Sequence, residues 1–115
     1  MRIALRSLAA TLVLGALPAL AAAETWKNVP VVDGHCAKKV KADPDKHERS
    51  CAIQCASGGY GIFLESGEYL KFDEAGSAQA LAALKASEKK DHLRADVTGT
   101  RDGEVLKVES FALVP

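Results

Sequence analysis

Leu93, Ala95 and Val97 alternate with Arg94, Asp96 and Thr98, and this period of two predicts a strand with one buried face. The same rhythm appears twice around Ser66-Gly67, where apolar runs at residues 60–64 and 68–72 have the spacing of a hairpin with a short turn. Ile62, Leu64, Leu70 and Phe72 share a parity across that turn. Together with Leu93, Ala95 and Val97 they form the expected core, with Arg94 and Asp96 facing solvent. An earlier run at residues 26–36 is apolar and β-branched, is punctuated by Pro30, and carries the turn signal Asp33-Gly34. It predicts a first strand bent at Pro30 and Gly34. After Asp102-Gly103 a last strand is expected over residues 104–114.

Two segments read as helices. In the first, Asp43 fits an N-cap, Pro44 the first helical position, and Asp45 and Glu48 the positive helix end, which predicts a helix over 44–56 stopped by Gly58 and Gly59. In the second, Ser77 is a candidate cap for a helix over 77–87, with Ala78, Leu81, Ala82, Leu84 and Lys85 spaced along it. The order is strand, inserted helix, two strands, helix, two strands. This is a mainly β, small α+β pattern whose best match is a five-stranded antiparallel OB-like barrel, with one helix between strands 3 and 4 and a short Cys/His-bearing helix between strands 1 and 2. The alternative is a short open antiparallel sheet with helices on one side.

Several stretches also carry a likeness. Val32-Asp33-Gly34-His35-Cys36 is followed by His47, Cys51 and Cys55, by Gly67 with Tyr69-Leu70-Lys71-Phe72-Asp73, by Val97-Thr98-Gly99-Thr100, and by Val108-Glu109-Ser110. In these the chain resembles small secreted bacterial OB-fold-like domains of unknown function over nearly all of residues 26–114. That resemblance implies a fold and an exported location, and no reaction.

The segment before residue 24 changes the picture of where the protein works. Arg2 and Arg6 precede an apolar run from Leu8 to Leu20 and an Ala21-Ala22-Ala23 cleavage motif, so residues 1–23 read as a signal peptide and residues 24–115 as one OB-like domain, periplasmic or secreted. The run is shorter than the ~20 residues that span a bilayer, so no membrane anchor is expected after cleavage. Cys36 lies too far from the cleavage motif for lipid attachment, and the two arginines are not adjacent, so a twin-arginine route has no support. The full chain carries 15 basic and 15 acidic residues, and loss of Arg2 and Arg6 leaves a net charge near −2. Nucleic acid is therefore not an expected partner, because such binding rests on clustered Lys and Arg. The one basic cluster, Lys38, Lys39 and Lys41, runs straight into Asp43, Asp45 and Glu48 and reads as a solvated loop.

Candidate chemistry concentrates in one place. On a helix over 44–56, His47, Cys51 and Cys55 would lie four residues apart on one face. With Cys36 brought to that face they form a Cys3His set suited to zinc or copper(I), with His35 as an auxiliary ligand. The competing reading is a structural disulfide from Cys36 to Cys51 or to Cys55, worth roughly 2–4 kcal/mol to a small exported domain. Cys51 and Cys55 themselves are too far apart on a regular helix, at ~5–6 Å between Cβ atoms, for a mutual bond. Phe63 and Tyr69 lie on the parity opposite to the core residues and form either an outer binding patch or a contact with the inserted helix. Asp33 beside His35 could be drawn as an acid/base pair, but Asp-Gly is first a turn, and His92 sits in a charged connection. There is no Cys-x-x-Cys, no Gly-rich phosphate loop and no Gly-x-Ser-x-Gly elbow. The expected function is a non-enzymatic exported binding or interaction module for an unknown ligand or protein, with a candidate soft-metal cluster. The alternatives are a structural domain stapled through Cys36 and a thiol-based redox helper.

Overall fold

A computed structural model describes residues 22–115. The leader expectation falls almost wholly on residues outside that range. The described chain runs β1 (Glu24–Asp33), α1 (Ala37–Val40), α2 (Arg49–Gln54), β2 (Tyr60–Phe63), β3 (Tyr69–Phe72), α3 (Glu74–Ala86), β4 (Arg94–Asp102) and β5 (Val105–Leu113), with single 3-10 turns at Pro44–Lys46 and Ala56–Gly58. It is a small, mostly β, α+β fold. Among the described residues no helix is long and apolar enough to cross a membrane.

Every strand has two hydrogen-bonded neighbours, in the order β1-β2-β3-β5-β4 and back to β1. Four of the five pairings are antiparallel, but β3 and β5 run parallel, with Lys71 opposite Val105 and Phe72 opposite Leu106. The sheet is therefore mixed rather than purely antiparallel. The reason is parity: a ring with an odd number of strands cannot alternate direction all the way round, so one contact must be parallel. Closure also needs the long strands to bend, and register shifts between Trp26 and Val29 and between Thr98 and Gly99 supply two such bends. In the first, Asn28 adopts a left-handed backbone and donates its N–H to the Asp96 carboxylate at 2.9 Å. The first strand thus bends at Asn28 and ends at Asp33, short of the predicted Cys36.

Ile62, Leu70, Phe72, Leu93, Ala95 and Val97 are buried together with Leu106 and Val108, as the alternation predicts. Leu64 is only partly buried against that cluster. Asp96 is exposed, whereas Arg94 is half-covered because its guanidinium grips Asp45 through two bonds of 2.9 Å. The helix after β3 starts three residues earlier than predicted: Asp73, not Ser77, is its cap, accepting from the Gly76 N–H at 3.0 Å. Ser77 instead accepts the N–H of Tyr60. Gly76, Ala80 and Leu84, spaced by four, make the buried face of α3.

The predicted helix over 44–56 is broken in two. His47 and Glu48 are extended, with ψ of 122° and 145°, between the Pro44–Lys46 turn and α2. Its backbone bonds have been traded for tertiary ones: Arg49 N–H donates to the Lys90 carbonyl at 2.7 Å, and the Asp45 carbonyl accepts from His92 N–H at 2.8 Å. Gly59 ends the insertion with φ of 69°, a left-handed value that favours glycine.

Candidate functional site

The end of β1 places Asp33 with no exposed surface, opposite Tyr60 in the β1–β2 pairing. A carboxylate there must have its oxygens satisfied, and both are. Oδ2 accepts the N–H of Cys36 at 2.9 Å, which closes the turn at Gly34-His35. Oδ1 accepts from Nε2 of buried His47 at 2.7 Å. This bond is what pulls His47 out of helical geometry.

One ligating atom each from Asp33, Cys36 and His47 lies within 4.8 Å of the others. Burial pushes the Cys36 thiol above its ordinary pKa, and the Asp33 carboxylate and the neighbouring Cys55 thiol raise it further. Tyr60 closes the inner side by donating its hydroxyl to the Ala52 carbonyl at 2.7 Å. Burial, with smaller effects of Asp33 and Cys55, lifts its phenol to about 12. Tyr69 donates to the Val32 carbonyl at 2.9 Å, and burial raises its phenol well above the usual value.

The predicted shared face of His47, Cys51 and Cys55 does not form. His47 leaves the helix and turns inward, Cys51 is exposed on α2, and Cys55 caps the end of α2 near Cys36. All three cysteines are free thiols. His35 is exposed and shares a 3.3 Å hydrogen bond with Ser57, apart from the cluster. His92 is likewise exposed and bonds to Asp91. Asp33, which the sequence pairs with His35 or assigns to a turn, is bonded to His47 instead. The signal was the Asp-Gly pair, which explains a turn but not the burial of its carboxylate.

An open groove of about 380 Å³ lies beside this cluster. Phe63 and Tyr69 form one wall, with ring centroids 5.1 Å apart and planes inclined by 53°. Ala37, Lys38 and Lys41 line it from the β1–β2 connection, and Glu104 lines it from the β4–β5 turn. Phe63 is not an outer residue: it is buried with Val32 and Ala37, and Cys36, Val40 and Tyr69 pack against it. The aromatic pair therefore touches the inserted segment and borders the groove at once. Glu68, also on the lining, is ion-paired with Arg101. Comparisons with protein-family models, curated proteins and solved structures find no match for this chain.

Proposed function

We propose that this chain is an exported, non-enzymatic binding module with an OB-like barrel, and that its ligand occupies the groove beside Phe63 and Tyr69. Export rests on the basic, apolar and small-residue order of residues 1–23. The binding reading rests on one observation, the placing of the groove. It opens on the β2–β3 side, between the β1–β2 connection and the β4–β5 turn, which is where OB-type barrels take extended ligands.

The lining argues for the class of ligand. Lys38 and Lys41 share the lining with Glu68 and Glu104, so the groove mixes both signs and offers no field of one sign to a polyanion. The Phe63–Tyr69 wall suits a ring with an apolar face, and the charged rim suits hydroxyl groups. A neutral oligosaccharide has both. Against the use of Cys36 as a redox helper, burial and the Asp33 charge raise its thiol pKa and so disfavour the nucleophilic thiolate.

Titration of the 15N-labelled protein with cellohexaose, maltohexaose and chitohexaose tests this. At least one sugar is expected to give saturable amide shifts centred on Ala37, Lys38, Tyr69 and Glu104. Tyr69→Ala should weaken that sugar about tenfold, the order of one lost ring contact. No saturable shift with any sugar, or one untouched by Tyr69→Ala, would refute the proposal. Saturation by oligothymidylate instead would refute the ligand class.

A further inference from the structure

The Asp33, Cys36 and His47 cluster is chemically distinct from the groove and does not depend on what binds there. From its geometry we infer that Asp33, Cys36 and His47 form a zinc site, held by Oδ1, Sγ and Nε2, in which a carboxylate takes the place that Cys51 has in the sequence pattern.

Four observations carry it. The first is distance: ligand atoms around tetrahedral zinc lie ~3.3–3.6 Å apart, given metal–ligand lengths of ~2.0–2.3 Å. The three atoms here are already within 4.8 Å, and the Asp33–His47 contact of 2.7 Å has to part by only about half an ångström to admit the ion. The second is orientation. The Cys36 N–H holds Asp33 Oδ2, so the carboxylate is anchored by one oxygen and turns the other toward His47 and the proposed ion, the arrangement by which outer hydrogen bonds aim a ligand. The third is origin: the donors come from the end of β1, the start of the insertion and the stretch before α2, so an ion would tie the insertion to the barrel. The fourth is donor chemistry. One oxygen, one nitrogen and one sulfur suit a borderline ion, and the carboxylate counts against copper(I), which selects thiolate and thioether sets. Zinc is favoured over the copper alternative for that reason. Water completes the tetrahedron as the fourth ligand.

The proton balance is simple. On binding, the Cys36 Sγ–H bond breaks, its proton passes to solvent and an Sγ–metal bond forms. The Nε2–H bond of His47 to Asp33 also breaks: through solvent the imidazole loses that proton and takes one up at Nδ1, so the neutral ring ligates through the Nε2 lone pair while Asp33 stays ionised and ligates through Oδ1.

The test uses the reduced, metal-free protein and cobalt(II) as a spectroscopic stand-in for zinc. Cobalt(II) should produce a sulfur-to-metal charge-transfer band that zinc displaces at one equivalent. Cys36→Ser should abolish the band and lower zinc affinity by more than ~100-fold, beyond the usual effect of losing an outer partner. Cys51→Ser should change neither. Because replacing buried His47 can unfold the protein, its role is read in the unaltered chain: zinc should move the His47 Nε2 resonance and leave those of His35 and His92 in place. The inference fails if the band is absent, if it survives Cys36→Ser or is lost in Cys51→Ser, or if the His47 resonance stays put. It also fails if peptide mapping of protein isolated from its native compartment shows Cys36 in a disulfide, to Cys51 or to Cys55, since its sulfur is then no ligand. None of these outcomes bears on the sugar titration, which reads a different set of amides.

Discussion

Asp45 looks, in the sequence, like a first-turn acid that complements a helix dipole, and in the structure it is one half of a fork. Both its oxygens accept from Arg94, whose third bond, at 2.7 Å, goes to the Asn28 carbonyl and ties the insertion to the β1 bulge. The Arg94 hydrogen bonds hold the Asp45 carboxyl below its ordinary value. A depressed carboxyl stabilises the fold above the unfolded-state pKa of ~3.9, and the contribution disappears as pH falls through the lower folded value. Asp45→Asn is therefore expected to cost about 1 kcal/mol at pH 7, as suits a bidentate pair mostly shielded from water. Urea unfolding at pH 7 and at an acid pH below the lowered folded value should show the gap between the two proteins open at the first and closed at the second. An equal gap at both pH values would show that the pair acts through packing rather than charge.

At the level of elements, α3 shows packing overriding propensity. Gly76 lies inside the helix, where alanine would ordinarily gain about 1 kcal/mol. A Cβ there would run into Cγ2 and Cβ of Val108 on β5, and a β-branched side chain has little freedom to withdraw. Gly76→Ala should thus destabilise by about 1–3 kcal/mol despite its better propensity. Adding Val108→Ala should recover part of that loss, because the second change opens the space that the first requires. Additive losses in thermal unfolding would contradict the close approach. The same glycine lies in the first turn that the Ser77 cap would exclude, and its approach to Val108 is a tertiary contact that no local cap signal carries. The broken helix over 44–56 is a parallel case, since its cap and proline are proper signals for a first turn. That turn does form, over Pro44–Lys46, and the buried bond to Asp33 then ends it.

For the molecule as a whole, the ring of strands has one weak seam. β4 and β5 pair over eight positions, from Ala95–Leu113 to Asp102–Val105, whereas β3 and β5 meet over two. Opening at that seam needs few bonds, chiefly Lys71 N–H to Glu104 and Asp73 N–H to Leu106. Native-state hydrogen exchange should find these two amides roughly tenfold or more faster than those of Val97 and Thr98, which belong to the long ladder. Equal protection would mean that the ring opens only with global unfolding. Alternation and turn chemistry were enough to locate all five strands, the Gly67 and Gly103 turns and most of the buried face, because period and backbone freedom are local properties carried by each residue and its neighbours. The parallel seam follows from closing an odd ring, and no single strand contains that information. The site was half legible: Cys36 and His47 stood out by chemical type, but helix spacing assigned His47 the wrong neighbours. Its hydrogen-bond partner, Asp33, lies fourteen residues back along the chain and is buried at the end of the β1–β2 pairing. Once water is excluded, a carboxylate and an imidazole must satisfy each other, and only the tertiary structure decides which groups lose their water.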